Sequence, residues 1–202
     1  MKRLAACALA ALLLAPALLG AQLAPTANAP TTAEDRTKAL RALFHDYWEE
    51  NLKRQPEFAS NIGDKRYNDQ IADYSVKAIN DWLAAEQDFL MKLAAIDPTG
   101  LSDQDKVSQE LLIRRLTDDQ EAAGFKGWEM PVNQMGGIYA TYPQLVASLK
   151  FTTVKDYDDW IARLHAIPKA FDQVTANMSI GIEDPKTLAD MIGAFLMAPP
   201  VH

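Results

Sequence analysis

The run Ser75-Val76-Lys77-Ala78-Ile79-Asn80-Asp81-Trp82-Leu83-Ala84-Ala85-Glu86-Gln87-Asp88-Phe89-Leu90-Met91-Lys92-Leu93 decides the fold class. Ile79, Trp82, Leu83, Leu90 and Leu93 recur at three- and four-residue steps, with Phe89 beside them. Such a run makes one face of a helix apolar and the other charged. Ser75 is placed to cap its start, and Asp97-Pro98 bounds its end. The same grammar continues outward. Upstream, Thr32-Ala33-Glu34-Asp35 reads as a capping box before Leu40, Phe44, Tyr47, Trp48 and Leu52, a helix running to about Gln55. Pro56 then opens a short turn of helix closed by Gly63. Downstream, Ser102 to Asp105 caps a third long helix carrying Val107, Leu111, Leu112 and Leu116 and ending at Gly124, with Glu110 and Arg114 as a supporting pair.

A fourth long helix is expected from Thr153 to about Ile182. Its inward residues are predicted as Tyr157, Trp160, Ile161 and Leu164, then Phe171, Val174 and Met178, with Pro168 interrupting or kinking it. Between the third and fourth helices, residues 125–153 read as a long apolar loop with one short helix near Pro143 to Leu149. No segment alternates with period two in β-branched residues, and no repeat of 20–50 residues is present. The fold class is therefore all-α, an irregular helical bundle, with the helical domain spanning 33–183.

The first 21 residues stand apart. Lys2 and Arg3 precede the almost pure Ala/Leu run Leu4 to Leu19, and Gly20-Ala21 supplies small residues before Gln22. This is the layout of a secretory signal peptide, with an apolar run of about 16 residues against the roughly 20 a membrane span needs. Residues 22–32 are an Ala/Pro/Thr-rich flexible linker. The chain is thus expected to be exported, periplasmic or secreted, with no transmembrane span after cleavage. Lipid anchoring is not expected, because the lipobox-like Leu4-Ala5-Ala6-Cys7 precedes the apolar run. Cys7 is the only cysteine of the 202 residues, so cleavage after Ala21 removes all thiol chemistry. A formal net charge of −7 and a pI near 4.9 exclude a nucleic-acid partner, which needs a basic face.

The search for chemistry finds little that rises above structure. His45 and Glu49 share a helix face, but two ligands without a third make no metal site. His165 sits near Pro168. Glu49-Glu50, Asp118-Asp119 and Asp156-Asp158-Asp159 read as solvated helix faces, the last group complementing a helix dipole. Asn177-Met178-Ser179 is a glycosylation sequon placed on a helix, where it carries no weight. The segment Trp128-Glu129-Met130-Pro131-Val132-Asn133-Gln134-Met135-Gly136-Gly137-Ile138-Tyr139 is the one constellation with binding character. Asn133 and Gln134 offer amides amid aromatics and methionines, and Gly136-Gly137 permits close backbone approach. It reads either as a groove for a peptide-like ligand or as a packed loop whose amides satisfy its own backbone.

Those residues also carry a resemblance. Phe44-His45-Asp46-Tyr47-Trp48-Glu49-Glu50, Pro56-Glu57-Phe58-Ala59, Gly63-Asp64-Lys65-Arg66-Tyr67 and the Met130-Pro131-Val132-Asn133-Gln134-Met135-Gly136-Gly137 run are similar to the N-terminal half of the bacterial domain-of-unknown-function 885 family. The likeness covers 37–183. It implies a largely helical, exported protein related to zinc metallopeptidases, whose H-E-x-x-H helix binds zinc through two histidines and activates water through the glutamate. That motif lies downstream of this region in the family, and no position here matches it, so no catalytic or metal residue is carried over and no cofactor is expected in this chain. The expectation is an N-terminal helical portion, inactive alone, with Asn133, Gln134, Gly136 and Gly137 as substrate contacts. Its partners would be a peptide substrate or the missing catalytic half. The alternative is a complete non-catalytic periplasmic module that binds a peptide or a partner protein. Residues 184–202 are read as a divergent or truncated segment.

Overall fold

A computed structural model describes residues 32–133 and 135–185. The signal segment, residues 22–31 of the linker, Gln134 and residues 186–202 lie outside the described residues. The chain is all-α: α1 (Ala33–Arg54), α2 (Pro56–Asn61), α3 (Val76–Ala94), α4 (Asp103–Ala123), α5 (Ile138–Ser148) and α6 (Val154–Glu183), with single 3-10 turns at Lys65–Tyr67 and Gly127–Glu129. Among the described residues there is no strand, only one bridge between Asn133 and Gly136.

The caps explain where the helices begin. Thr32, Ser75 and Ser102 each accept the backbone N–H three residues on, from Asp35, Ala78 and Asp105. Thr153 and Asp156 complete a reciprocal capping box at α6. Pro56 stands in the first turn of α2, where its missing N–H is no loss. Among the described residues the i,i+4 ion pair on α4 forms between Arg115 and Asp119, 2.6 Å apart, rather than at Glu110 and Arg114.

Two apolar clusters result. The first joins α1, α3 and α4 through Leu40, Leu93 and Leu116, all fully buried, with Ile96 and Leu101 in the connecting turn. Gln109 locks that turn from below, its amide donating to the carbonyls of Leu93 and Ile96 at 2.8 Å each. The second joins α5 and α6 through Ile138, Tyr142, Leu145, Ala170 and Val174, with Ile71 and Tyr74 of the loop packed against it.

Helix α6 departs from expectation in two ways. It runs unbroken through Pro168 for 30 residues. Its buried stripe is Asp156, Asp159, Arg163, Ala170, Val174, Asn177 and Gly181, while Tyr157, Ile161 and Leu164 are exposed. Only Trp160 and Val174 of the predicted inward set pack in the core. The inward carboxylates and Asn177 all find partners, Asp159 in Lys155 at 2.6 Å. Asp156 accepts from Lys65 at 2.7 Å and from the backbone N–H of Thr152 and Thr153 at 2.8 Å. Asn177 donates to the Tyr74 carbonyl at 2.7 Å, which places the sequon asparagine inside the fold.

Candidate functional site

The segment leading into α5 forms a tight turn built by Asn133. Its Oδ1 accepts the N–H groups of Met135 and Gly136 at 2.8 and 3.0 Å, and its N–H donates to the Gly136 carbonyl at 3.0 Å. The Tyr139 hydroxyl closes the loop on the Asn133 carbonyl at 2.9 Å. Asn133 is exposed, and its acceptor is engaged by its own backbone. Gly137 has φ 144°, in the region that favours glycine, and a Cβ there would meet the Pro131 carbonyl at 3.3 Å. Gly137 therefore starts α5 at Ile138, five residues earlier than the helix expected at Pro143. Its carbonyl accepts from Ala140 and Thr141, but no side chain caps the first turn. Asn133, Gly136 and Gly137 are thus gathered into one turn at the head of α5. Gln134 lies outside the described residues.

Behind that turn, α5 and α6 enclose a cavity of about 290 Å³, lined almost wholly by apolar groups including Tyr139, Pro143, Val146, Trp160, Leu164 and Phe171. Tyr139 belongs both to the turn and to this groove. The groove continues along α6 as an apolar stripe of Tyr157, Ile161, Leu164, Phe171, Met178 and Ile182, each more than a third exposed. These positions recur at three, four or seven residues, the pattern of a helix face that packs on another helix.

The groove floor rests on a buried polar network that the sequence did not announce. Tyr142 donates its hydroxyl to Glu57 at 3.0 Å, and the same carboxylate oxygen accepts the Ala72 N–H at 3.1 Å. Burial first, and the Glu57 charge next, push the Tyr142 phenol far above its ordinary range, so it acts as a fixed donor. Arg163, fully buried, donates through Nε to the Gln70 carbonyl at 2.7 Å and through Nη2 to the Tyr67 carbonyl at 2.6 Å and Ser60 Oγ at 2.9 Å. Burial draws its pKa down, against the fields of Glu57, Tyr142, Asp69 and Asp159. These groups anchor the irregular segment 62–75 beneath α5 and α6.

The acidic groups singled out in the sequence are mostly paired. Glu49 accepts from Arg66 at 2.6 Å, Glu50 from Arg54 at 2.9 Å, and Asp159 from Lys155 at 2.6 Å. Asp156 and Asp159 are buried, not solvated as their spacing suggested. His45 and His165 are exposed. Among the described residues no group of three or more His, Cys, Asp or Glu is arranged to hold a metal ion, and no helix is long and apolar enough to cross a membrane.

A family model described as bacterial protein of unknown function (DUF885) matches residues 56–192, which takes in α2 to α6 and reaches beyond the end of α6. No curated protein and no solved structure matches the chain.

Proposed function

Because the chain belongs to the DUF885 family of bacterial proteins of unknown function, we propose that it is the N-terminal helical portion of an exported zinc-peptidase-like hydrolase, inert by itself. The catalytic H-E-x-x-H part would be supplied by a further segment seated on α6. The apolar stripe of α6 carries this reading. Six large apolar side chains on one face, continuous with an apolar groove, form the surface of an interface rather than of a free helix. The Asn133–Gly137 turn stands at the rim of that groove. In this reading its uncapped α5 N–H groups, with Asn133, Gln134, Gly136 and Gly137, meet the backbone of a peptide substrate.

The test is to sequence the genomic locus through codon 202 and translate every downstream frame. An H-E-x-x-H coding stretch is expected. Co-expressing it with this chain should protect Ile161, Leu164 and Phe171 from surface labelling and confer zinc-dependent peptide cleavage that neither part has alone. A clean stop followed by unrelated DNA would sink the reading. The same groove would then serve a complete binding module, whose peptide ligand would lie across the Asn133 turn.

A further inference from the structure

A second cleft lies where α1, α3 and α4 meet the 3-10 turn Gly127–Glu129. It encloses about 290 Å³ and is walled by the rings of Tyr47, Trp82 and Trp128, with Glu86 and Asp119 as its acids and Arg115 as its one cation. Gln55, Ile79 and Trp82 form a partition shared with a larger trough of about 500 Å³. Glu86, on α3, is only 3% exposed.

The charges around it do not balance. The two cations whose fields reach Glu86 are Arg115 and Arg54. Arg115 is held by Asp119 at 2.6 Å, and Arg54 by Glu50 at 2.9 Å. Glu86 is therefore a buried carboxylate without an ion-pair partner among the described residues, lining a cavity open to solvent. Uncompensated buried charge is unfavourable, and an arriving cation would relieve it. The aromatic walls select the kind of cation. Ring faces attract organic cations such as ammonium and guanidinium groups, and Arg54 already stands 4.9 Å over the Trp82 ring from the larger trough. A strongly hydrated metal ion would need several oxygen or nitrogen ligands, and no such group of acids and histidines is assembled among the described residues.

We propose that this cleft binds a small organic ammonium ion, its cationic head on the Glu86 carboxylate and its alkyl chain between Tyr47 and Trp128. The ammonium comes from a free amine or from a lysine side chain of a peptide; both present the same chemistry. The reading is independent of the α5–α6 groove and of any zinc-dependent reaction. It also has a protonic signature. Burial and the Asp119 charge hold the Glu86 carboxyl up at about 7, opposed by Arg115, Trp82 and Arg54, while Tyr47 faces it from α1. Seating a cation ionises Glu86 and releases protons near neutral pH.

The experiment is titration calorimetry of the full chain at pH 7 with n-butylammonium chloride and with N-acetyl-lysine methylamide, each in two buffers of different ionisation enthalpy. n-Butanol serves as the neutral isostere. The expected result is saturable binding of the ammonium compounds, with buffer-dependent heats that report proton release, and no binding of butanol. Preference for the lysine amide over butylammonium assigns the site to peptides, and the reverse to free amines. Glu86→Gln should weaken binding about tenfold or more and abolish the buffer dependence, since a charge-assisted contact is lost. Trp128→Ala, at a half-buried position of the cleft wall, should weaken it about two- to fivefold. No saturable heat with either ammonium, equal binding of butanol, or undiminished binding in folded Glu86→Gln each overturns the proposal.

Discussion

Replacing Arg163 by methionine isolates the interaction that turns α6 inward. Two opposing effects set the outcome. The guanidinium is fully buried, and among the described residues no carboxylate forms an ion pair with it and its Nη1 has no hydrogen-bond partner. Methionine has a similar reach and removes that desolvation penalty, and exchanges of this kind for apolar residues stabilise some proteins by about 1–4 kcal/mol. Against this, four acceptors lose a donor: the carbonyls of Gln70 and Tyr67, the Ser60 hydroxyl and, at 3.5 Å, the Pro56 carbonyl, which keeps the Ser60 hydroxyl. Ser60 keeps partners, because its own hydroxyl lies 2.7 Å from Asn68 Oδ1. The Tyr67 carbonyl, at the end of its 3-10 turn, keeps the Gln70 N–H at 3.1 Å, so the Gln70 carbonyl is the acceptor left unmet. At about 1–3 kcal/mol for that buried acceptor, with Glu57 losing a neighbouring positive charge and the packing of 62–75 on α6 loosened, the loss modestly outweighs the gain. The expected net change is a destabilisation of about 1 kcal/mol, or a fall in Tm of about 2–4 °C for a domain of this size.

The assay is urea unfolding followed by circular dichroism, paired with hydrogen exchange of the 64–74 amides. Those amides should lose protection in Arg163→Met while α3 and α4 amides change only with global stability. Arg163→Lys keeps the charge but cannot span both carbonyls and Ser60, so it should fall between the two. A methionine variant as stable as the natural chain, or more stable, would refute the reasoning and show that the Gln70 carbonyl is readily hydrated.

Other outcomes follow from single contacts. Glu86 has a folded pKa raised from 4.5 to about 7, so the native state binds the extra proton between those values and stability declines as pH rises through that window. Glu86→Gln should remove the decline, at most about 1.4 kcal/mol per pH unit, and match the natural chain below pH 4.5. Asp156 behaves oppositely. Its hydrogen bond from Lys65, then those from the Thr152 and Thr153 backbone, hold its carboxyl well below the ordinary 3.8. Its contribution is therefore fully present above that value and lost as pH falls below it. Asp156→Asn should unfold at lower urea near neutrality, and the gap should close in strong acid. Gly181→Ala would normally strengthen a helix by about 1 kcal/mol. Here its Cβ would lie 2.7 Å from the Glu129 carbonyl oxygen, so a net loss of about 1–2 kcal/mol is expected in thermal unfolding. Tyr142→Phe leaves one Glu57 oxygen with only the Ala72 N–H and should cost about 1 kcal/mol in the same measurement.

The local parts of this molecule were legible from the chain alone. Ser75, Ser102 and Thr153 start helices where the sequence places them, because a cap needs only its own next three residues. The α1–α3–α4 core was equally readable, since Leu40, Leu93 and Leu116 lie on stripes that are apolar without competition. Gly136-Gly137 signalled a tight turn, but only the structure showed Asn133 bonding that turn to itself and α5 starting there. The face of α6 was not readable at all. Periodicity selects the apolar stripe Tyr157, Ile161 and Leu164 as the buried one, whereas burial went to Asp156, Asp159, Arg163 and Asn177. Partners for Asp156, Arg163 and Asn177 lie 91–103 residues away, in the segment between α2 and α3. Glu86 was hidden for the same reason, as one acid among many until α1 and α4 closed over it. Helix starts and apolar stripes depend on short-range chemistry that the sequence by itself determines. Which polar group is buried depends on whether a distant backbone arrives to satisfy it, and only the tertiary structure decides that.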